Sequence, residues 1–179
     1  VRFFLDTEWA DPMGSELVSI GLVSEDGVHR FYAERAPLPA TPTDFVRHVV
    51  YPLLQGGLSS MAMTTGLRAF LGADQAPLVL ADYAHDLVLL RYVLAGFDMP
   101  DDLAQACGPI PQVQGLLIDG GQIDRKVEWL FESRPVLRAR WHHALNDAET
   151  LRLAWELCRA EEQPADRRGT RAPTKPFAG

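Results

Sequence analysis

Lysine is nearly missing from this chain: of 17 basic residues only Lys126 and Lys175 are lysines, and 24 acids leave a net charge of −7 over 179 residues. Four cations, Arg167, Arg168, Arg171 and Lys175, fall in residues 167–179 with no acid among them, so residues 1–166 carry −11. A body this acidic lacks the basic surface that nucleic-acid partners ordinarily meet, although bound divalent cations would shrink that deficit. Cysteine is scarce too. Cys107 and Cys158 lie far apart, and a domain of this size needs no disulfide, so thiols kept reduced are expected. No apolar run approaches the roughly 18 residues of a membrane helix, and no basic-apolar leader opens the sequence. Together these absences set the expectation of a soluble, cytoplasmic protein without a membrane partner.

The rest of the composition, 47% hydrophobic and 23% charged, is that of one globular domain with a full core. Residues 2–8, 17–24 and 28–34 read as strands, the last two joined by a Glu25-Asp26-Gly27 hairpin turn. Amphipathic stretches at 43–55 and 60–72 predict helices. Beyond them, 77–81 and 113–118 read as buried strands, and 84–96, 122–133 and 147–161 as helices. A meander followed by alternating strands and helices argues for an α/β mixed sheet flanked by helices. The domain is expected over residues 1–160. Residues 161–179, rich in Pro, Arg and Ala, are expected to form a basic, disordered tail.

Three stretches carry chemistry. In FFLDTEW, Asp6 and Glu8 sit at i and i+2 of a strand, so both carboxylates leave the same face. Two acids that close repel each other, and near a core they need a partner; a divalent cation resolves both problems, as would a frayed strand end in water. In LADYAHDLVLL, Asp86 shares a helix face with Leu89, Leu90 and Val93, an acid amid apolar residues. It could equally serve the helix dipole, while Asp82, at the strand end, competes for the role of Asp86 or caps the coming helix. In WHHALNDAET, Asn146 and Glu149 read as a capping-box variant that would put Asp147 at the first helical position, with His142 in the entering loop.

Taken in order, D-x-E on the first strand, an acid on a mid-chain helix and H-x4-D before the last helix resemble the DEDDh 3′–5′ exonucleases of the ribonuclease H-like superfamily. The matching residues are Asp6 and Glu8 of LDTE, Asp86 of AHDLVLL, and His142 with Asp147 of HHALNDA. The DEDDy branch would want Tyr four residues before Asp147, and position 143 is His. Over residues 1–158 the chain is similar to small stand-alone bacterial exoribonucleases of the mycobacterial type. It departs from many of them at Ala81-Asp82-Tyr83, where they carry His-Asn; that leaves substrate contacts there open while the metal ligand stays.

The resemblance implies a ribonuclease H-like mixed sheet, an antiparallel three-strand meander plus parallel strands. It implies two divalent cations, Mg²⁺ or Mn²⁺, one held by Asp6, Glu8 and Asp147 and the second bridged by Asp6 with support from Asp86. Hard oxygen ligands suit these ions. His142 would take the proton of the attacking water. Single-stranded RNA or 3′ overhangs would be cut to nucleoside 5′-monophosphates, and a homodimer is implied by analogy. Trp9 is a candidate to stack on the terminal base, or packs into the core. Arg134, Arg138 and Arg140 could grip phosphates, or they are solvated loop residues in a chain with 15 Arg against 2 Lys. The alternatives are the same chemistry on DNA, a non-catalytic metal- or nucleic-acid-binding module of this fold, and a plain structural domain whose acids are caps and strand-end charges.

Overall fold

A computed structural model describes residues 1–118 and 121–162. The basic tail expected from 161 onward therefore lies, after its first two residues, outside the described residues. Strands β1 (Arg2–Trp9), β2 (Leu17–Ser24) and β3 (Arg30–Glu34) form an antiparallel meander. After a π-helical turn at Val46–Val50 and a 3-10 turn at Tyr51–Leu53 come α1 (Ser60–Gly72), β4 (Leu78–Ala81), α2 (Ala84–Ala95) and α3 (Asp101–Ala106). The chain continues through β5 (Gln114–Leu117), α4 (Gly121–Ser133), α5 (Pro135–Arg138) and α6 (Ala144–Glu162). Sheet order is β3-β2-β1-β4-β5, with β4 and β5 running parallel to β1. This is an α/β fold with a five-stranded mixed sheet flanked by helices.

Alternation along β1 divides the core between the two sheet faces. Phe3 and Leu5 pack with Met63 and Leu67 of α1 and Leu89, Leu90 and Val93 of α2. Phe4 packs on the other face with Ile123 of α4 and Leu151 and Cys158 of α6. At strand spacing the Phe4 face continues to Asp6 and Glu8, and the Phe3 face to Thr7. The core pattern thus assigns the two acids to the α6 side before any site geometry is considered.

Three expectations change. The stretch 43–55 is not one regular helix but two short turns of different pitch, because Pro52 has no N–H to continue an α-helical ladder. The last helix begins at Ala144, three residues earlier than its apolar stripe suggests. The carbonyl of His143, not the side chain of Asn146, opens it by accepting from the amides of Asn146 and Asp147 at 2.7 and 3.0 Å. Asp147 accordingly sits in the fourth helical position rather than the first. The short helices α3 and α5 carry no periodicity from which to predict them. Cys107 and Cys158 are buried and not joined to each other. Among the described residues no helix is long and apolar enough to cross a membrane.

Candidate metal centre

The C-terminal end of β1 is where the three sequence stretches meet. Gly21 pairs with Asp6 across the β1–β2 ladder, and the first turn of α6 passes directly over it. A Cβ at Gly21 would lie 2.4 Å from the amide nitrogen of Leu145, so only glycine lets the helix come this close. That approach sets Asp147 beside β1. Asp86 arrives from the opposite face: it is 1% exposed in the first turn of α2, and the Thr7 hydroxyl donates to its Oδ1 at 2.6 Å.

The acids fall into two groups. Glu8, His142 and Asp147 each offer one ligand atom within 4.8 Å of the others, and so do Asp6, Asp82 and Asp86. Asp82 does not cap α2; that place is taken by Tyr83, which makes no side-chain capping bond. The sequence leaves Asp82 open between the role of Asp86 and a helix cap, and β4 ending beside β1 puts it in the second group together with Asp86. Asp6, Glu8, Asp86, His142 and Asp147 are all brought to this end of the sheet.

Holding so many carboxyls together raises their proton affinity. Burial first, then Asp86, Asp147 and Glu8, pushes Asp6 well above the usual carboxylate range. Burial and the facing Asp147 and Asp86 raise Glu8 to about 8. Burial raises Asp86 to about 7 against the pull of the Thr7 hydroxyl, and Asp147 to about 7 against hydrogen bonds from Asn146 and the His142 amide. Asp6 Oδ2 is buried without a hydrogen-bond partner. A buried, unpartnered carboxylate oxygen among four more acids is costly unless a cation faces it. The donor set, carboxylate oxygens with one imidazole, fits hard divalent ions.

His142 is held by unusual means. Its φ is +70°, a region few non-glycine residues adopt, and that turn points its amide at Asp147 Oδ2, 2.9 Å away. Trp141 stacks on the imidazole at 4.9 Å and 10°, and Phe45 meets it edge-on at 4.9 Å. Burial lowers its pKa. A cavity of about 410 Å³ opens over these groups, floored by Asp6, Glu8, Asp147 and His142 and walled by Trp9, Phe45 and Trp141. Trp9 reaches this wall while its ring stacks against Tyr83 at 5.6 Å. Arg134, Arg138 and Arg140 are all exposed, and Arg140 also meets the imidazole of buried His143, Nη2 to Nε2 2.8 Å. Phe45 and Trp141 had no signal in the sequence, since their value comes only from meeting His142.

Fold and site together define an α/β protein with two side-chain clusters able to hold metal ions. Comparison with family models, curated proteins and solved structures finds no match for this chain.

Proposed function

We propose that this chain is a divalent-metal-dependent 3′–5′ exoribonuclease of the DEDDh type on a ribonuclease H-like fold, releasing nucleoside 5′-monophosphates from single-stranded or 3′-overhanging RNA. One observation carries the reading: acids from three distant segments meet at the end of β1 with a histidine beside them, around a buried carboxylate oxygen that has no partner. The antiparallel meander continued by parallel β4 and β5 supports the fold that the family resemblance implies.

Asp6, Glu8, Asp147 and Asp86 would hold the two cations, Mg²⁺ or Mn²⁺. When bound, the ions offset the charge that develops on phosphoryl oxygens during in-line displacement. Thr7 fixes the carboxylate of Asp86, and the His142 amide and Asn146 side chain fix that of Asp147. The His142 imidazole, kept neutral by burial, accepts a proton from the attacking water. Water oxygen bonds to phosphorus as the P–O3′ bond breaks. The shortened strand keeps the 3′ oxygen and takes a proton there. Trp141 and Phe45 restrict the imidazole to the orientation this transfer needs. The acidic body draws the polyanion only once cations are in place, which ties binding as well as chemistry to the metal.

Product analysis on a 3′-overhang RNA tests the reading. Stepwise 5′-monophosphate release in Mg²⁺ or Mn²⁺, and none in chelator, is the expected result. No product with either ion, or internal fragments in place of mononucleotides, overturns it. Matched single-stranded DNA run alongside decides the sugar preference.

A further inference from the structure

We infer that Tyr83 is a stacking platform for the base next to the 3′-terminal one, with Trp9 and His85 as its support. The inference rests on the exonuclease reading for the direction of the strand. Tyr83 occupies the turn between β4 and α2, one residue after Asp82 and three before Asp86, both of the second carboxylate group. Its backbone is extended, φ −125° and ψ 135°, and its side chain caps nothing. Among the described residues its hydroxyl has no hydrogen-bond partner. The ring therefore has no evident duty in the local fold.

It is nonetheless held in place. Tyr83 lies nearly parallel to Trp9 (5.6 Å, 15°) and to His85 (5.1 Å, 16°), whose own centroids are 6.0 Å apart. The three rings form one cluster in which Tyr83 is nearly parallel to both neighbours, and Tyr83 is still 51% exposed. His85 is fixed in turn: a Cβ on Gly14 would come within 2.7 Å of its ring, and the Asp11 carboxylate ties that loop through the amides of Ser15 and Glu16 at 2.8 and 2.7 Å. A large aromatic held by two ring neighbours and still half exposed presents a stacking surface that loses little entropy when a base covers it.

Position then selects the base. The cavity lies on the Glu8, His142 and Asp147 side and is walled by Phe45 and Trp141, which suits the last nucleotide of a strand. Tyr83 lies on the Asp82 and Asp86 side. A phosphodiester held between the two carboxylate groups has the terminal nucleoside on the first side and its neighbour on the second. Trp9 serves both: it walls the cavity and backs Tyr83. Stacking reads no base edge, so the platform tolerates all four bases.

The test uses a single-stranded RNA with 2-aminopurine as its penultimate base, mixed with the full-length protein in Ca²⁺. The wild type is expected to quench the probe, Tyr83→Ala to lose the quench, and Tyr83→Phe to retain it. A probe placed well upstream should respond equally weakly in all three. Under turnover in Mn²⁺, Tyr83→Ala should raise KM by about fivefold to a hundredfold, the range of one lost base–aromatic stack. An abasic penultimate nucleotide should impose the same penalty on the wild type and little more on Tyr83→Ala. Quenching by Tyr83→Ala equal to the wild type, or no quench by the wild type, overturns the platform. Monophosphate release with no Tyr83-dependent quench overturns the platform alone, whereas a quench without monophosphate release overturns the exonuclease reading.

Discussion

A side chain at Gly21 would place its Cβ 2.5 Å from the carbonyl oxygen of Ala144, so the sheet and the start of α6 touch backbone to backbone. Asp6 is the ladder partner of Gly21, and Asp147 follows Ala144 by one helical turn. The contact decides how near the two acids come.

Gly21→Ala should therefore damage the metal site more than the fold. Overpacking of this kind costs about 1–3 kcal/mol, and the displaced helix carries both Asp147 and the amide of His142 away from β1. Mn²⁺ affinity is expected to fall at least about tenfold, a loss of roughly 1.4 kcal/mol, while far-ultraviolet circular dichroism stays that of a folded α/β protein. Wild-type affinity in this variant would show that the helix can shift without cost.

Asp6→Asn separates metal holding from folding. The carboxyl it replaces is buried, faces four other acids and has an unpartnered oxygen. In chelator the variant should melt at or above the wild-type temperature near pH 8, because a site that resists ionisation has lost its acid. Added Mn²⁺ should raise the wild-type melting temperature and leave the variant where it was. At a metal concentration a hundred times Kd the stabilisation is about 2.7 kcal/mol, some 5–10 °C for a domain of this length.

Stability without metal should fall as pH rises. Glu8 at about 8 and Asp86 and Asp147 at about 7 stand above the ordinary carboxylate range of the unfolded chain, so the native state binds more protons between about pH 4 and 8. Their contribution is complete below about pH 4 and is lost as pH climbs through 7 and 8. Cations compete with those protons, so the stabilisation by Mg²⁺ or Mn²⁺ should grow over the same interval. Denaturant melts at pH 5, 6.5 and 8, with and without metal, check both trends. A metal-free protein most stable at pH 8 would contradict the burial of these groups.

His142→Ala should keep metal binding and lose turnover by about 10²–10⁴-fold. Burial lowers the pKa of the imidazole, so the acid limb of the wild-type pH–rate profile should fall below pH 6.5. Calorimetric Mn²⁺ titration and rates across pH measure the two effects separately. Near-wild-type rates at every pH would remove His142 from the proton transfer.

Deleting residues 163–179 removes four cations and leaves the five site residues intact. RNA affinity at low salt should drop, and the slope of log affinity against log salt should flatten by about 3 if each cation meets one phosphate. An unchanged slope would mean the tail takes no part in binding.

Much of this architecture could be read from the chain because alternation and spacing are local properties. The meander, the acids at i and i+2, and Asp86 on the Leu89, Leu90 and Val93 face follow from strand and helix periods alone. What stayed hidden depends on contacts between distant segments. Asp82 stays undecided between a helix cap and the role of Asp86 until β4 is laid beside β1. Asn146 looks like an N-cap until the carbonyl of His143 takes that place. Thr7 is an ordinary strand residue until Asp86 meets its hydroxyl, and Phe45 is an exposed aromatic until His142 turns into the left-handed region beside it.

Titration of the metal-free protein with Mn²⁺ tests the central claim most directly. The convergence of Asp6, Glu8, Asp86 and Asp147 predicts saturable binding with release of protons near neutral pH, abolished by Asp6→Ala. Absence of binding, or binding that survives Asp6→Ala unchanged, would contradict it.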